Sequence, residues 1–254
     1  MVKNRQWQAI GSIVDGAIHI RNEKPCQDAL HIHEDKNFVI ACVADGHGSN
    51  SCPYSDEGAK VAVKIAAEIL AEMLPNLADH KDIRLPKILE SKWKEEVQKL
   101  HKSQKRETLD PFPYIQYGTT LLAVVAAEDF VLALQIGDGN ILMIDKSGNA
   151  RPILHIEESV GEDTESLCLE NAWTYVRTQI IPTTSDDVAM FLLSTDGYAK
   201  SFADSSGFIK AGTDFYTLWQ EEGLDFIKQN LPDWLRKSSD KGSGDDIAMA
   251  LITK

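Results

Sequence analysis

The sequence lacks the features that mark secreted, disulfide-bonded or membrane-spanning proteins. Its four cysteines, Cys26, Cys42, Cys52 and Cys168, form no Cys-x-x-Cys pair. We therefore expect free thiols and no zinc site. No apolar run is long enough to span a bilayer, and residues 1–7 contain no apolar signal core. These absences predict a cytoplasmic protein with no membrane partner.

Positive charge is also scarce. The chain has 26 Lys and Arg against 39 Asp and Glu, which gives a formal net charge of −13. Such a surface repels nucleic acid, so no nucleic-acid partner is expected. The 254 residues are 43% hydrophobic and show no repeat, low-complexity segment or linker. We expect one monomeric domain over residues 1–254 with a substantial core.

The chain is organised around residues 38–49. This stretch begins with β-branched and apolar residues, which predict a strand buried on both faces. It ends in Asp45-Gly46-His47-Gly48, where the glycines would let an ion or ligand approach the main chain closely. The plain alternative is that Asp-Gly forms an ordinary hairpin turn.

Hydrophobic periodicity predicts the remaining elements. Strands are predicted at residues 6–14, 30–33, 117–126, 130–136, 140–144, 173–181, 188–194 and 247–252. Helices are predicted from Ser55 or Asp56 to about residue 74 and over 85–103, and helical segments over 198–203 and 213–238. Residues 117–145 have the pattern of an antiparallel meander with turns at 127–129 and 137–139. Residues 146–172 remain unassigned.

Acidic residues recur at the ends of the predicted strands. Asp45, Asp138 and Asp196 each precede a glycine, Asp245 precedes the last strand, and Asp28 ends an early loop. Carboxylates that converge repel one another unless a cation compensates them. Carboxylate oxygens are hard ligands, which suit Mg²⁺ or Mn²⁺. Asp138 is the weakest of these candidates, because a hairpin turn would explain it fully.

Six short motifs resemble those of the metal-dependent type 2C Ser/Thr protein phosphatases, especially the compact bacterial branch. They are Pro25-Cys26-Gln27-Asp28, Val43-Ala44-Asp45-Gly46-His47-Gly48, Gly118-Thr119-Thr120, Ile136-Gly137-Asp138-Gly139, Ser194-Thr195-Asp196-Gly197 and Gly244-Asp245-Asp246-Ile247. Each is weak alone, but six in family order are together specific. The resemblance implies an α+β fold, a four-layer α-β-β-α sandwich of two mainly antiparallel sheets packed face to face with helices outside.

The resemblance also implies a set of metal ligands at one end of the sandwich. Asp45 resembles the carboxylate that bridges two metal ions, and the Gly46 carbonyl resembles a ligand of one of them. Asp196 and Asp245 resemble the remaining direct ligands of the second ion. Asp28 resembles a residue that holds metal-bound waters. The implied cofactors are two Mg²⁺ or Mn²⁺ ions.

Three further residues acquire roles from the resemblance. Asp138 resembles a ligand, with Asp196, of a third and weaker metal site. His47 resembles the proposed general acid, although it could be a structural histidine that orders its loop. Arg21 resembles the arginine that grips the substrate phosphate. The family arginine commonly lies two residues closer to the motif aspartate, so His19 or Lys24 could assist.

Two other positions depart from the family pattern. Gln27 stands where many members have Glu, which removes one carboxylate that would hold water. Asp246 stands where many members have Asn. The alignment favours Asp245 as the ligand, and an exchange of roles between Asp245 and Asp246 stays open.

The implied activity is hydrolysis of phosphoserine and phosphothreonine by direct attack of a water that bridges two metal ions. The implied partner is a phosphorylated protein, either a Ser/Thr kinase or its target. One alternative is a catalytically weak member that binds a phosphoprotein or a kinase. Another is a metal-dependent hydrolase of small phosphoesters. No proposed direct ligand is replaced, which argues against the catalytically weak alternative.

Overall fold

The computed structural model describes residues 6–77, 84–107, 109–154, 165–183 and 187–254. The strands are β1 (Gln8–Val14), β2 (Asp28–Glu34), β3 (Phe38–Asp45), β4 (Leu121–Ala127), β5 (Phe130–Ile136), β6 (Asn140–Asp145), β7 (Ala150–Pro152), β8 (Arg177–Pro182), β9 (Val188–Ser194) and β10 (Ile247–Thr253). The helices are α1 (Ala17–Arg21), α2 (Ser55–Met73), α3 (Arg84–Ser103), α4 (Asp196–Ala199), α5 (Ser205–Glu222) and α6 (Leu224–Lys241). Short 3₁₀ segments lie at Leu74–Asn76, Tyr114–Tyr117 and Ala172–Thr174.

Two antiparallel sheets of five strands each form the centre of the molecule. Sheet I has the strand order β1-β10-β9-β6-β7, and sheet II has the order β2-β3-β4-β5-β8. Apolar side chains from both sheets, among them Val124, Phe191 and Ala250, form one buried cluster. Since successive side chains of a strand point to opposite faces, each sheet has a second apolar face to cover.

Helices cover these outer faces. Helices α2 and α3 pack on sheet II in a cluster that includes Ile40, Leu70 and Trp93. Helices α5 and α6 pack on sheet I in a cluster that includes Phe215 and Leu231. Strands β4, β9 and β10 are therefore buried at every residue, which explains why their sequences are continuously apolar. The expected four-layer α-β-β-α sandwich is confirmed.

Helices α2 and α3 lie close to the predicted ones, whereas no helix is predicted at α1. Helix α4 overlaps the segment predicted over 198–203 by only two residues, and α5 begins at Ser205, eight residues before the predicted start. Tyr54, and not Ser55 or Asp56, occupies the N-cap of α2 and makes no side-chain cap bond. The segment predicted over 213–238 consists of two helices that meet at Gly223, whose φ of 84° ends α5. No helix within the described part of the chain has the length and apolar character needed to cross a membrane.

The strand predictions need three corrections. The strand predicted from residue 117 begins at Leu121, because Tyr114–Tyr117 form a 3₁₀ turn. The strand predicted from residue 173 begins at Arg177. The predicted meander is wrong at its third strand, because β6 pairs with β9 in sheet I whereas β5 belongs to sheet II. Residues 137–139 thus connect the two sheets. Within the unassigned stretch 146–172 lies β7, and residues 155–164 fall outside the described residues.

Candidate metal centre

The candidate centre lies where strands of both sheets end. Asp45 is the last residue of β3, and Asp28, the first residue of β2, lies directly opposite it. Asp196 begins α4 immediately after β9, and Asp138 lies in the connection from β5 to β6. Thr195 Oγ1 donates a hydrogen bond to Asp28 Oδ2 at 2.7 Å, which ties the two sheets together here. Both layers therefore contribute carboxylates to this region.

Three of the predicted ligands converge on one point. One oxygen from each of Asp45, Asp138 and Asp196 lies within 4.8 Å of the other two. All three line an open cleft of about 680 Å³, together with His47 and Asp245. Asp138, the weakest candidate from the sequence, belongs to this cluster because its segment crosses between the sheets and is not a hairpin turn.

Main-chain contacts hold the loop that carries Asp45. Its N–H donates to Thr120 Oγ1 and its carbonyl accepts from Thr119 Oγ1, both at 2.9 Å. The Gly46 N–H donates to the Gln27 carbonyl at 3.1 Å. A Cβ at Gly46 would lie 2.7 Å from the α2 main chain, so this close approach requires glycine. These contacts give the Gly-Thr-Thr motif a structural role.

Burial and mutual repulsion make the acidic cluster electrostatically unfavourable without a cation. Burial, followed by repulsion from neighbouring carboxylates, raises the pKa of Asp45 well above its ordinary value. The pKa of Asp28 is also raised well above normal, mainly by burial, although the bond from Thr195 opposes the shift. Burial and the charge of Asp196 likewise raise the pKa of Asp138 and of Asp245.

His47 lines the same cleft and is half-buried. Its main-chain N–H donates a hydrogen bond to the Gly118 carbonyl at 3.0 Å. A Cβ at Gly118 would lie 2.6 Å from Cδ2 of the His47 ring, so the glycine makes room for the imidazole. Burial lowers the pKa of His47, and the charge of Asp196 opposes that shift.

Asp245 and Asp246 occupy different environments. Asp245 is half-buried and lines the cleft. Asp246 is 3% exposed, and its two carboxylate oxygens accept hydrogen bonds from the N–H groups of Gly16 at 2.6 Å and Gln27 at 2.7 Å. The accessible carboxylate is therefore Asp245, which supports its choice as the ligand.

The structure does not bring Arg21 to the cleft. Its side chain is exposed on α1 and its Nε donates to the Ala17 carbonyl at 3.0 Å. Among the described residues that line the cleft, Lys200 is the one Lys or Arg, and its Nζ pairs with Asp196 Oδ2. Burial lowers the pKa of Lys200, but the bond to Asp196 outweighs this and the pKa is raised. The sequence reasoning missed Lys200, although four-residue spacing from Asp196 at a helix start would have indicated it.

The residues present fit hard divalent cations. The converging donors are carboxylate oxygens of Asp45, Asp138 and Asp196, and further carboxylates stand close by at Asp28 and Asp245. Such oxygen-rich sets suit Mg²⁺ and Mn²⁺. Bound cations would also relieve the repulsion that raises the carboxylate pKa values.

Comparisons with solved structures show the same fold in a Pseudomonas aeruginosa regulatory protein and in a serine/threonine phosphatase. The chain matches PppA, described as a key regulatory component of T6SS in Pseudomonas aeruginosa, with a TM-score of 0.65 and 16% identity, over 98% of each chain. It matches the catalytic domain of the serine/threonine phosphatase PstP, solved in complex with two manganese ions, with a TM-score of 0.62 and 14% identity, again over 98% of each chain. At these identities the likeness concerns the fold.

Comparisons of sequence identify the family. A curated relative, "Serine/threonine-protein phosphatase 3" of Escherichia coli strain K12, is 23% identical over 255 aligned positions, covering 96% of this chain and 97% of the relative. The sequence model described as "Protein phosphatase 2C" matches residues 15–236. Its match spans most of the chain and includes the carboxylates that converge at the cleft. The chain belongs to the protein phosphatase 2C family and to the protein-serine/threonine phosphatase class of enzymes.

Proposed function

We propose that this chain hydrolyses phosphoserine and phosphothreonine in a phosphorylated protein, with two Mg²⁺ or Mn²⁺ ions bound at the cleft. The observation that carries the proposal is the convergence of Asp45, Asp138 and Asp196 from two sheets on one point. Burial and repulsion of these groups would be hard to explain in a site that never binds cations. The manganese ions in the PstP structure agree with this proposal.

Carboxylates of this chain and one main-chain carbonyl would bind the metal ions or their waters. Asp45 would hold both ions, the Gly46 carbonyl would bind one, and Asp196 with Asp245 would bind the other. Asp28 lies buried behind Asp45, where it would order bound waters. A third, weaker site would use Asp138 together with Asp196.

The chemistry requires a nucleophile, charge compensation and a proton for the leaving group. When bound, the two ions would lower the pKa of a bridging water and so supply hydroxide for direct attack on phosphorus. His47, two residues after Asp45 and in the cleft lining, would donate the proton that the serine or threonine alkoxide needs. Arg21 as the phosphate-gripping group remains a prediction that the observed position of its side chain does not favour.

The competing function is that of a module that only binds phosphoproteins or kinases. Every proposed direct metal ligand is present, and Asp45, Asp138 and Asp196 are already assembled. These observations favour hydrolysis over binding alone. A Ser/Thr kinase or its target as the partner, action as a monomer and a single domain over residues 1–254 are parts of the same proposal.

The deciding experiment measures hydrolysis of p-nitrophenyl phosphate and of a phosphothreonine peptide with Mn²⁺, with Mg²⁺ and with a chelator. We expect turnover of both substrates that needs the metal and disappears in Asp196→Asn. Asp214→Asn is the matched control, because Asp214 is an exposed aspartate on α5 that pairs with Lys210. This variant should keep full activity.

The two substrates separate the competing functions. Hydrolysis of the aryl ester alone would replace the proposal with hydrolysis of small phosphoesters. Metal binding by calorimetry without turnover of either substrate would favour the binding module. Activity that persists in the chelator would contradict the metal site itself.

A further inference from the structure

We infer that His19, held by Asp246, is the residue that binds a phosphoryl oxygen of the substrate. This inference rests on the proposed phosphatase function and assigns one part of the same cleft. It concerns the role that the family resemblance gives to Arg21, in which His19 or Lys24 could assist. Three independent features of the structure support it: the hydrogen bonds that fix Asp246, the contacts that hold His19, and the positions of the other cationic side chains.

Asp246 is committed to a fixed structural position. It is 3% exposed, and its carboxylate accepts the N–H groups of Gly16 at 2.6 Å and Gln27 at 2.7 Å. These bonds join the start of α1, the loop before β2 and the loop before β10. A carboxylate held by two main-chain donors keeps its orientation, so whatever else it contacts is also well placed.

His19 is the further contact of that carboxylate. Its Nδ1 lies 2.7 Å from Asp246 Oδ2, at an angle outside hydrogen-bond geometry, so the contact is an electrostatic one. Two lone pairs would repel at this distance, and Nδ1 therefore carries the proton. Nδ1 is shielded from solvent while the residue lines the cleft. Since Nδ1 is shielded beside Asp246, Nε2 is the ring nitrogen that remains for a ligand in the cleft.

Helix α1 is built to present this residue. None of its side chains is buried, so core packing does not explain it. Its main chain is anchored on the loop before β10, since the Ile18 N–H donates to the Gly244 carbonyl at 2.8 Å. The Ala17 N–H donates to Ser239 Oγ at 3.0 Å. A Cβ at Gly16 would lie 2.5 Å from the Asp245 carbonyl carbon, so α1 sits directly against the segment that carries Asp245.

The other cations near the cleft are less suited to binding phosphate. Arg21 is exposed and bonded to its own helix. Lys200 lines the cleft, but its Nζ is paired with Asp196. Nε2 can donate to a phosphoryl oxygen only in the imidazolium form, in which both ring nitrogens carry a proton. The second proton would come from solvent or from a phosphate monoanion, and the Asp246 carboxylate beside Nδ1 balances the resulting charge. The geometry thus provides His19 with a counter-ion, whereas Arg21 makes no ion pair with any residue that the structure describes.

The test measures the inhibition constant of inorganic phosphate and the KM for a phosphothreonine peptide with Mn²⁺ present. His19→Ala should raise both about tenfold or more, because a hydrogen bond to a charged group is lost. The fall in kcat should be smaller than the rise in KM. His33→Ala, which removes an exposed histidine at the far end of β2, is the matched control and should leave both constants unchanged.

Arg21→Ala provides the direct comparison. If Arg21→Ala weakens phosphate binding more than His19→Ala does, the inference is overturned. It is also overturned if His19→Ala lowers kcat with the phosphate constant unchanged, since that pattern indicates proton transfer. If Mn²⁺ no longer raises the Tm of His19→Ala, His19 helps to hold the metal, and this result would equally contradict the inference.

The same variants separate this inference from the proposed function. If the wild-type protein shows no metal-dependent hydrolysis, binding of inorganic phosphate to the Mn²⁺-loaded protein can still be measured by calorimetry. Weaker binding in His19→Ala would then support the phosphate role without the enzyme role. Equal binding in both proteins would overturn it.

Discussion

At the scale of single residues, His47 lines the cleft and is fixed there by its contacts with Gly118. Its ring lies over Gly118, where a Cβ would approach Cδ2 to 2.6 Å, and its N–H is bonded to the same glycine. Burial lowers its pKa. A histidine fixed by its main chain and open to the cleft on its ring is suited to move a proton.

We predict that His47→Ala slows hydrolysis of alkyl phosphates more than hydrolysis of aryl phosphates. An alkoxide needs a proton as it leaves, whereas p-nitrophenolate needs much less help, and loss of a general acid typically lowers a rate about 10²- to 10⁴-fold. The measurement compares kcat for a phosphoserine peptide and for p-nitrophenyl phosphate. Equal losses on the two substrates would leave His47 with a structural role only.

Lys200 is the residue whose effect on the metal site is easiest to isolate. Its ammonium pairs with Asp196, one of the converging carboxylates. A cation that occupies this carboxylate must be displaced when a metal ion binds there. We predict that Lys200→Met binds Mn²⁺ up to about fivefold more tightly, since exposed ion pairs contribute about 0.2–1 kcal/mol.

Calorimetric titration of the metal-free protein with Mn²⁺ checks this prediction. The matched control is Lys60→Met, because Lys60 makes an ion pair with Asp56 at the same four-residue spacing on α2. That pair lies outside the cleft lining, so its loss should not alter the affinity for Mn²⁺. Weaker binding in Lys200→Met would mean that the lysine supports the site and does not compete for it.

At the scale of elements, α4 is the connection between sheet I and the metal cluster. Asp196 begins this short helix directly after β9. The next residue, Gly197, packs against the loop before β10, where an added Cβ would lie 2.1 Å from the Asp246 carbonyl oxygen and 3.2 Å from the Asp245 Cβ. The glycine thus sets how closely α4 and the Asp245 segment approach each other.

We predict that Gly197→Ala lowers Tm by several degrees and reduces the additional stability that Mn²⁺ confers. Overpacking typically costs about 1–3 kcal/mol, and in a chain of this size each 1 kcal/mol corresponds to about 2–4 °C. The physical reason is that α4 must move away from Asp245. Thermal melts with and without Mn²⁺ measure both effects.

Gly207→Ala is the control for this prediction. Gly207 lies in α5, where the atoms nearest to an added Cβ belong to the side chain of Phe202, the closest at 3.1 Å. Alanine is also the better helix former by up to about 1 kcal/mol. This variant should melt near the wild-type temperature with its response to Mn²⁺ intact. An unchanged Tm in Gly197→Ala would contradict the prediction, because it would show that the loop before β10 moves aside at little cost in stability.

At the scale of the whole molecule, the dominant feature is uncompensated negative charge. The formal net charge is −13, and five aspartates from separate segments lie close enough to affect one another's pKa values. Among the described residues that line the cleft, three can carry a positive charge: His19, His47 and Lys200. Repulsion at this end of the sandwich opposes the fold that the three apolar clusters stabilise.

We predict that Mn²⁺ and Mg²⁺ raise the Tm of the whole protein progressively with concentration. Ions that bind only the folded state stabilise it by mass action, about 2.7 kcal/mol at a hundred times Kd. The effect should be lost in Asp196→Asn and kept in Asp214→Asn. A Tm that does not change at Mn²⁺ concentrations that support activity would count against the site.

Much of this arrangement could be predicted from the sequence. The apolar runs of β3, β9 and β10 identify buried strands because both of their faces are covered. The apolar stripes of α2 and α3 identify outer helices. Aspartates that follow such strands, like Asp45 and Asp196, predict the cluster because the ends of neighbouring strands meet. These features depend on local order along the chain, which the sequence carries directly.

Only the tertiary structure decided the remaining features. The connection at Asp138 resembles a hairpin turn locally, but it crosses between the sheets because β6 pairs with β9 and not with β5. Asp245 and Asp246 are adjacent and chemically identical, and only the N–H groups of Gly16 and Gln27 distinguish them. The pairing of His19 with Asp246 joins residues more than two hundred positions apart. Such contacts are set by how the layers pack, and no local pattern in the sequence encodes them.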